Sequence, residues 1–60
     1  MKKSEIKEGC LVVDRWYPEY GTGRVKTVKK TVFTVEFRNY SDNDIKYDYQ
    51  HAQFLDKIGF

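Results

Sequence analysis

Apolar and polar positions alternate with a period of two in the clearest stretches of the chain. In Thr31-Val32-Phe33-Thr34-Val35-Glu36-Phe37 the residues Phe33, Val35 and Phe37 share one side, as do Ile45, Tyr47 and Tyr49 in Ile45-Lys46-Tyr47-Asp48-Tyr49. A pleated strand sends successive side chains to opposite faces, so each stretch reads as a strand with one covered and one wet face. Residues 10–15 (Cys-Leu-Val-Val-Asp-Arg) open with consecutive apolar residues, the pattern of a strand covered on both faces. Residues 22–28 and 55–58 complete a set of five extended segments. No window sustains 3.6-residue periodicity over the length of a packed helix.

Turn-forming residues divide these segments. Residues 4–8 suit a single helical turn capped by Ser4 and stopped by Gly9, with Ile6 covering one end of the core. Trp16-Tyr17-Pro18-Glu19-Tyr20-Gly21 reads as an aromatic loop in which Pro18, lacking an N–H, blocks ladder pairing. Gly23 marks a bend or bulge, and Lys29-Lys30 a tight connection. Residues 38–44, with Asn39, Ser41, Asp42, Asn43 and Asp44, form a polar turn cluster, and residues 51–54 a 3₁₀ turn ahead of the closing strand. The chain is therefore expected to be all-β: one small five-stranded antiparallel SH3-like barrel over residues 1–60, with its core in 6–58. Val12, Val25, Phe33, Val35, Phe37 and Tyr47 point inward, and closure of the barrel removes exposed sheet edges.

Composition sharpens this reading. Aromatic residues make up 17% of the 60 residues, which favours strands. Charged residues make up 33% but leave a net charge of only +2, which excludes a disordered polyelectrolyte. The charge is unevenly spread: residues 1–30 hold eight Lys/Arg against four Asp/Glu, and residues 31–60 hold three against five. The longest apolar run is residues 10–13, far short of a membrane span, and no signal-peptide core follows the N-terminal Met-Lys-Lys-Ser-Glu. A lone cysteine cannot form an intramolecular disulfide, and a cytoplasmic location is expected.

Two constellations carry candidate chemistry. Trp16, Tyr17, Tyr20, Tyr40, Tyr47 and Tyr49 fall in the first loop, the third-to-fourth connection and the fourth strand, which approach one rim of such a barrel. Rings there can stack bases, cradle a cation or methylated amine, or hold a peptide side chain. For Tyr20 and Tyr47 completion of the core is the leading reading. Trp16, Tyr17, Tyr20, Tyr40 and Tyr49 are the candidate protein-binding residues, with Trp16 as anchor, because large aromatics presented from a loop serve as interaction anchors. Arg24, Lys26, Lys29 and Lys30 form a basic ridge on the second strand and its hairpin, suited either to phosphates or simply to a solvated face. Zinc needs three or four ligands, and Cys10 and His51 are each single, so no metal or cofactor is expected. Cys10 reads as core, His51 as a hydrogen-bonding residue of the closing turn, and Asp42 and Asp44 as turn formers; the chain reads as a non-enzyme.

Ile6-Lys7-Glu8-Gly9-Cys10-Leu11-Val12-Val13, Tyr20-Gly21-Thr22-Gly23-Arg24-Val25, Val35-Glu36-Phe37 and Ala52-Gln53-Phe54-Leu55 together resemble the Tudor-like domain at the C-terminus of UvrD/PcrA-type DNA helicases. More loosely they are similar to the CarD-type RNA-polymerase-binding fold. The stretch from Gly9 to Tyr20 is about three residues longer than in the helicase pattern. The resemblance implies a Tudor-like barrel whose relatives contact RNA polymerase, other proteins or nucleic acid. A binding module for a protein partner, RNA polymerase or a DNA-repair protein, is the leading expectation, and direct nucleic-acid binding through the basic ridge is the alternative.

Overall fold

The computed structural model describes residues 1–59, and at 41–43 the backbone alone. Five strands follow one another: β1 (Leu11–Asp14), β2 (Gly23–Val28), β3 (Val32–Phe37), β4 (Tyr40–Asp48) and β5 (Leu55–Gly59). Short 3₁₀ turns lie at Lys3–Glu5, Pro18–Tyr20 and His51–Phe54. All strands belong to one antiparallel sheet in the order β4-β3-β2-β1-β5, a four-strand meander with the last strand returning beside the first. Register shifts within the β1–β5, β2–β3 and β3–β4 ladders increase the local bend and coil the sheet into a small SH3-like barrel. Among the described residues no ladder joins β4 to β5, so both remain edge strands and the expected removal of sheet edges is not realised.

The inward positions of the strands supply the core. Val12, Val25, Phe33, Val35 and Phe37 are buried as the alternation requires, joined by Ile6, Cys10, Ala52 and Leu55. Tyr47 is half-buried and packs on this cluster from its rim, beside Met1, Tyr20, Ile45 and Tyr49. Ala52 brings the last 3₁₀ turn into the core, and the Met1 ammonium donates to the carbonyls of Ala52 (2.8 Å) and Leu55 (3.0 Å).

Several local expectations are corrected. β1 is not covered on both faces: Leu11 and Val13 are half-buried, while Val12 and Asp14 point inward. The N-terminal turn forms at Lys3–Glu5, not at 4–8. The Glu5 carboxylate accepts from the Lys2 N–H at 2.8 Å and supplies the capping contact that Ser4 does not. The polar turn is only the pair Arg38-Asn39, after which β4 begins at Tyr40. Ser41, Asp42 and Asn43 of the expected cluster lie outside the residues whose side chains are described. Tyr49 falls one residue past β4.

Gly23 has a different reason for being glycine than the bend expected of it. A Cβ there would sit 2.6 Å from Val35 Cγ1 and 2.7 Å from the Phe37 ring, so the bare backbone lets β2 approach the core side chains of β3. Gly23→Ala should therefore force two buried side chains aside and lower stability by about 1–3 kcal/mol. Urea melts read this directly; a midpoint equal to the parent's would show that the β2–β3 contact leaves room for a methyl group.

Candidate functional site

The site begins with the period-two pattern of β1. The register that buries Cys10 and Val12 also turns Asp14 inward, leaving it only 4% exposed and the one charged side chain buried among the described residues. A carboxylate removed from water is strongly destabilising unless donors replace its hydration. Three do so here. Oδ1 accepts from the backbone N–H of Trp16 at 2.8 Å and of Tyr17 at 3.3 Å, and Oδ2 accepts from the Tyr47 hydroxyl at 2.8 Å. The two amides hold the chain as it leaves β1, and Pro18 then opens the 3₁₀ turn ending at Tyr20, beyond which Gly21 takes φ +76°.

This bend displays the aromatic side chains. Trp16 is 66% exposed, its ring 4.7 Å from Phe54. Tyr17, 46% exposed, stacks on Tyr20 at 5.1 Å, and Tyr20 in turn leans on the core ring of Phe37 and on the exposed ring of Tyr40. Asp14, Trp16, Tyr17, Tyr47, His51 and Phe54 line a cleft of about 420 Å³. On the far side of His51 and Phe54 lies a more open hollow of about 490 Å³, reaching Met1 and Tyr49. We take the first as the site, because the buried carboxylate and the exposed rings converge there.

The proposed rim residues are thus divided. Trp16 and Tyr17 border the cleft, and Tyr20 and Tyr40 continue the aromatic surface from Tyr17. Tyr49 stands apart: its ring packs on Phe33, and its hydroxyl donates to the Lys29 carbonyl, tying the end of β4 to the β2–β3 hairpin. The basic ridge also separates. Arg24 lies opposite Glu36 in the β2–β3 register and Lys26 Nζ is 3.9 Å from the Glu36 carboxylate, so this half is partly balanced. At the hairpin, Lys3 Nζ donates to the Lys30 carbonyl at 3.2 Å and sits 4.8 Å over the Tyr49 ring, which gathers Lys3, Lys29 and Lys30.

His51 does bond within the closing turn: its Nδ1 is 2.7 Å from Asp48 Oδ1, which also accepts from the His51 N–H at 3.0 Å. The ring and amide contacts hold the Asp48 carboxyl below its ordinary range. Cys10 is fully buried. Asp14 and Phe54 were not recognised as site residues from sequence, and Tyr47, placed in the aromatic set, was not read as the partner of a buried carboxylate. The signal for Asp14 was present, since it follows Cys10 and Val12 at alternate positions of one inward face. Nothing local marks Phe54, which reaches Trp16 only because β5 returns beside β1. A comparison with protein-family models yields no match, and neither do comparisons with curated proteins and with solved structures.

Burial and the bond to Asp14 push the Tyr47 phenol well above the ordinary tyrosine value near 10. The folded state thus holds this proton more tightly than the unfolded chain. Its contribution to stability is complete below pH ~10 and is lost as pH rises beyond that. Tyr47→Phe should cost about 1–3 kcal/mol at neutral pH, because Asp14 Oδ2 loses its donor, and should flatten the decline in stability at alkaline pH. Urea melts at pH 7 and pH 11 test both effects; an unchanged alkaline slope would contradict the assignment.

Proposed function

We propose that the domain is a non-catalytic binding module that holds a protein partner on the aromatic rim of Trp16, Tyr17, Tyr20 and Tyr40 beside the Asp14 cleft. One observation carries this reading: Trp16 is two-thirds exposed although its backbone is fixed by the buried carboxylate. A large apolar ring held in water on a rigid support is preorganised contact area, and little entropy is lost when a partner covers it. Cys10 is sealed in the core, which keeps the single thiol away from any substrate and favours binding over catalysis. The likeness of the motifs in residues 6–55 to the Tudor-like domain of UvrD/PcrA-type helicases favours a transcription or DNA-repair partner, RNA polymerase among them. We place the protein in the cytoplasm on its lone cysteine; no helix among the described residues is long and apolar enough to cross a membrane.

Trp16→Ala decides the matter. The side chain is mostly exposed, so the thermal midpoint should fall by no more than a few degrees, while capture of partners from nuclease-treated host lysate weakens at least about thirtyfold, as at interface anchors. Undiminished capture, or a collapse of the midpoint, would sink the rim assignment.

The gathering of Lys3, Lys29 and Lys30 around Tyr49 favours a second reading, contact with nucleic-acid phosphates at the hairpin. Under it, changing Lys29 and Lys30 together to Gln should reduce the salt dependence of oligonucleotide binding by about two units of slope. Absence of binding to single- and double-stranded oligonucleotides at low salt would remove this reading.

A further inference from the structure

Asp14 is surrounded by donors but not by charge. All three groups that bond it, two backbone amides and a phenol, are neutral. The nearest cation in sequence, Arg15, is turned elsewhere: its Nε lies 3.3 Å from Asp56 Oδ2 and its Nη2 donates to the Gln53 carbonyl. His51, at the cleft wall, turns its Nδ1 to Asp48 Oδ1 at 2.7 Å. Neutral hydrogen bonds satisfy the oxygens, yet the negative charge persists in a setting of low dielectric, where its field reaches further than in water. That field opens into a cleft walled by Trp16, Tyr17, Tyr47 and Phe54. Ring faces attract cations and offer nothing to anions.

Resting on the protein-partner reading above, we propose that the Asp14 cleft receives an arginine side chain of that partner. A guanidinium fits these walls better than an ammonium. It is planar, stacks on aromatic faces, and sheds water more readily, so entry between Trp16 and Tyr17 leaves less hydration uncompensated. The apolar stem of the same side chain lies against Phe54 and the Trp16 ring, and the charge is held by the field of Asp14. Selection is therefore for charge and flatness together. An acidic or phosphorylated side chain is repelled by the same carboxylate.

The test uses the whole chain and three small probes: the Nα-acetyl amides of arginine, lysine and citrulline. Citrulline keeps the shape of arginine and lacks its charge. Titration followed by NMR at the Trp16 indole and the Tyr17 and Tyr47 ring resonances should show arginine binding about tenfold more tightly than citrulline, the scale of a partly desolvated cation–π contact. Asp14→Asn should erase the preference for arginine over citrulline, and Trp16→Ala should weaken arginine while leaving the fold intact. Equal binding of arginine and citrulline, a preference for lysine, or shifts confined to Tyr49 and the hairpin would each overturn the proposal. The citrulline comparison needs no variant, so it stands even if Asp14→Asn fails to fold. The two readings also fail separately. Loss of partner capture in Trp16→Ala, with no competition from the arginine probe, retains the rim and removes the arginine; arginine binding with undiminished capture does the reverse.

Discussion

The hydrogen bond between Tyr47 and Asp14 joins two strands that are not neighbours. β1 and β4 are separated in the sheet by β2 and β3, and the two residues lie 33 apart in sequence, so the contact crosses the mouth of the barrel. No ladder closes the sheet between β4 and β5 among the described residues. At this end one phenol and one carboxylate tie β1 to β4 directly. Asp14 also accepts from the amides that begin the aromatic bend, so the same buried group fixes the fold's open end and the direction in which Trp16 and Tyr17 leave it. Removing either partner would strand a buried polar atom, and as drawn no buried side-chain polar atom among the described residues lacks a partner.

A chain of this length cannot hide all its aromatic rings, and the structure uses them as a graded series from core to surface. Phe33 and Phe37 are wholly inside. Tyr20 and Tyr47 lie against them at the edge of the core, and Tyr40, Tyr17 and Trp16 are progressively wetter. Contact with the core keeps the outer rings in place without covering them. This is how a domain with little mass can present a rigid apolar surface, where flexible loops would have to be ordered at the moment of binding.

Charge is distributed on the same economy. Arg15 with Asp56 and Lys26 with Glu36 are exposed ion pairs, worth little individually to stability. Their effect is local: one occupies Arg15 beside the cleft and the other partly balances the face of β2. Two local features bear on the binding readings, the Asp14 carboxylate in its cleft and the lysines of the hairpin. These lie in different parts of the molecule, so the two binding readings call on separate surfaces.

The alternation of residues 31–37 and 45–49 identified two strands and their inward faces, because a period of two is local and leaves each strand one choice of inward face, and apolar stretches between turn residues marked the other three. The missing N–H of Pro18 marked the loop that leaves the sheet after β1. What alternation cannot express is which inward residues meet. Asp14 sits on the buried face of β1 like any apolar residue, and only the coiling of the sheet brings Tyr47 across the mouth to bond it. Likewise Phe54 reaches Trp16 because β5 lies beside β1. The glycine at 23 could be read from sequence as a bend, whereas its actual constraint is the approach of two β3 side chains. Strand identity follows from the chemistry of consecutive residues, but the cleft is made from contacts between strands distant in sequence, and those are decided by how the sheet curls.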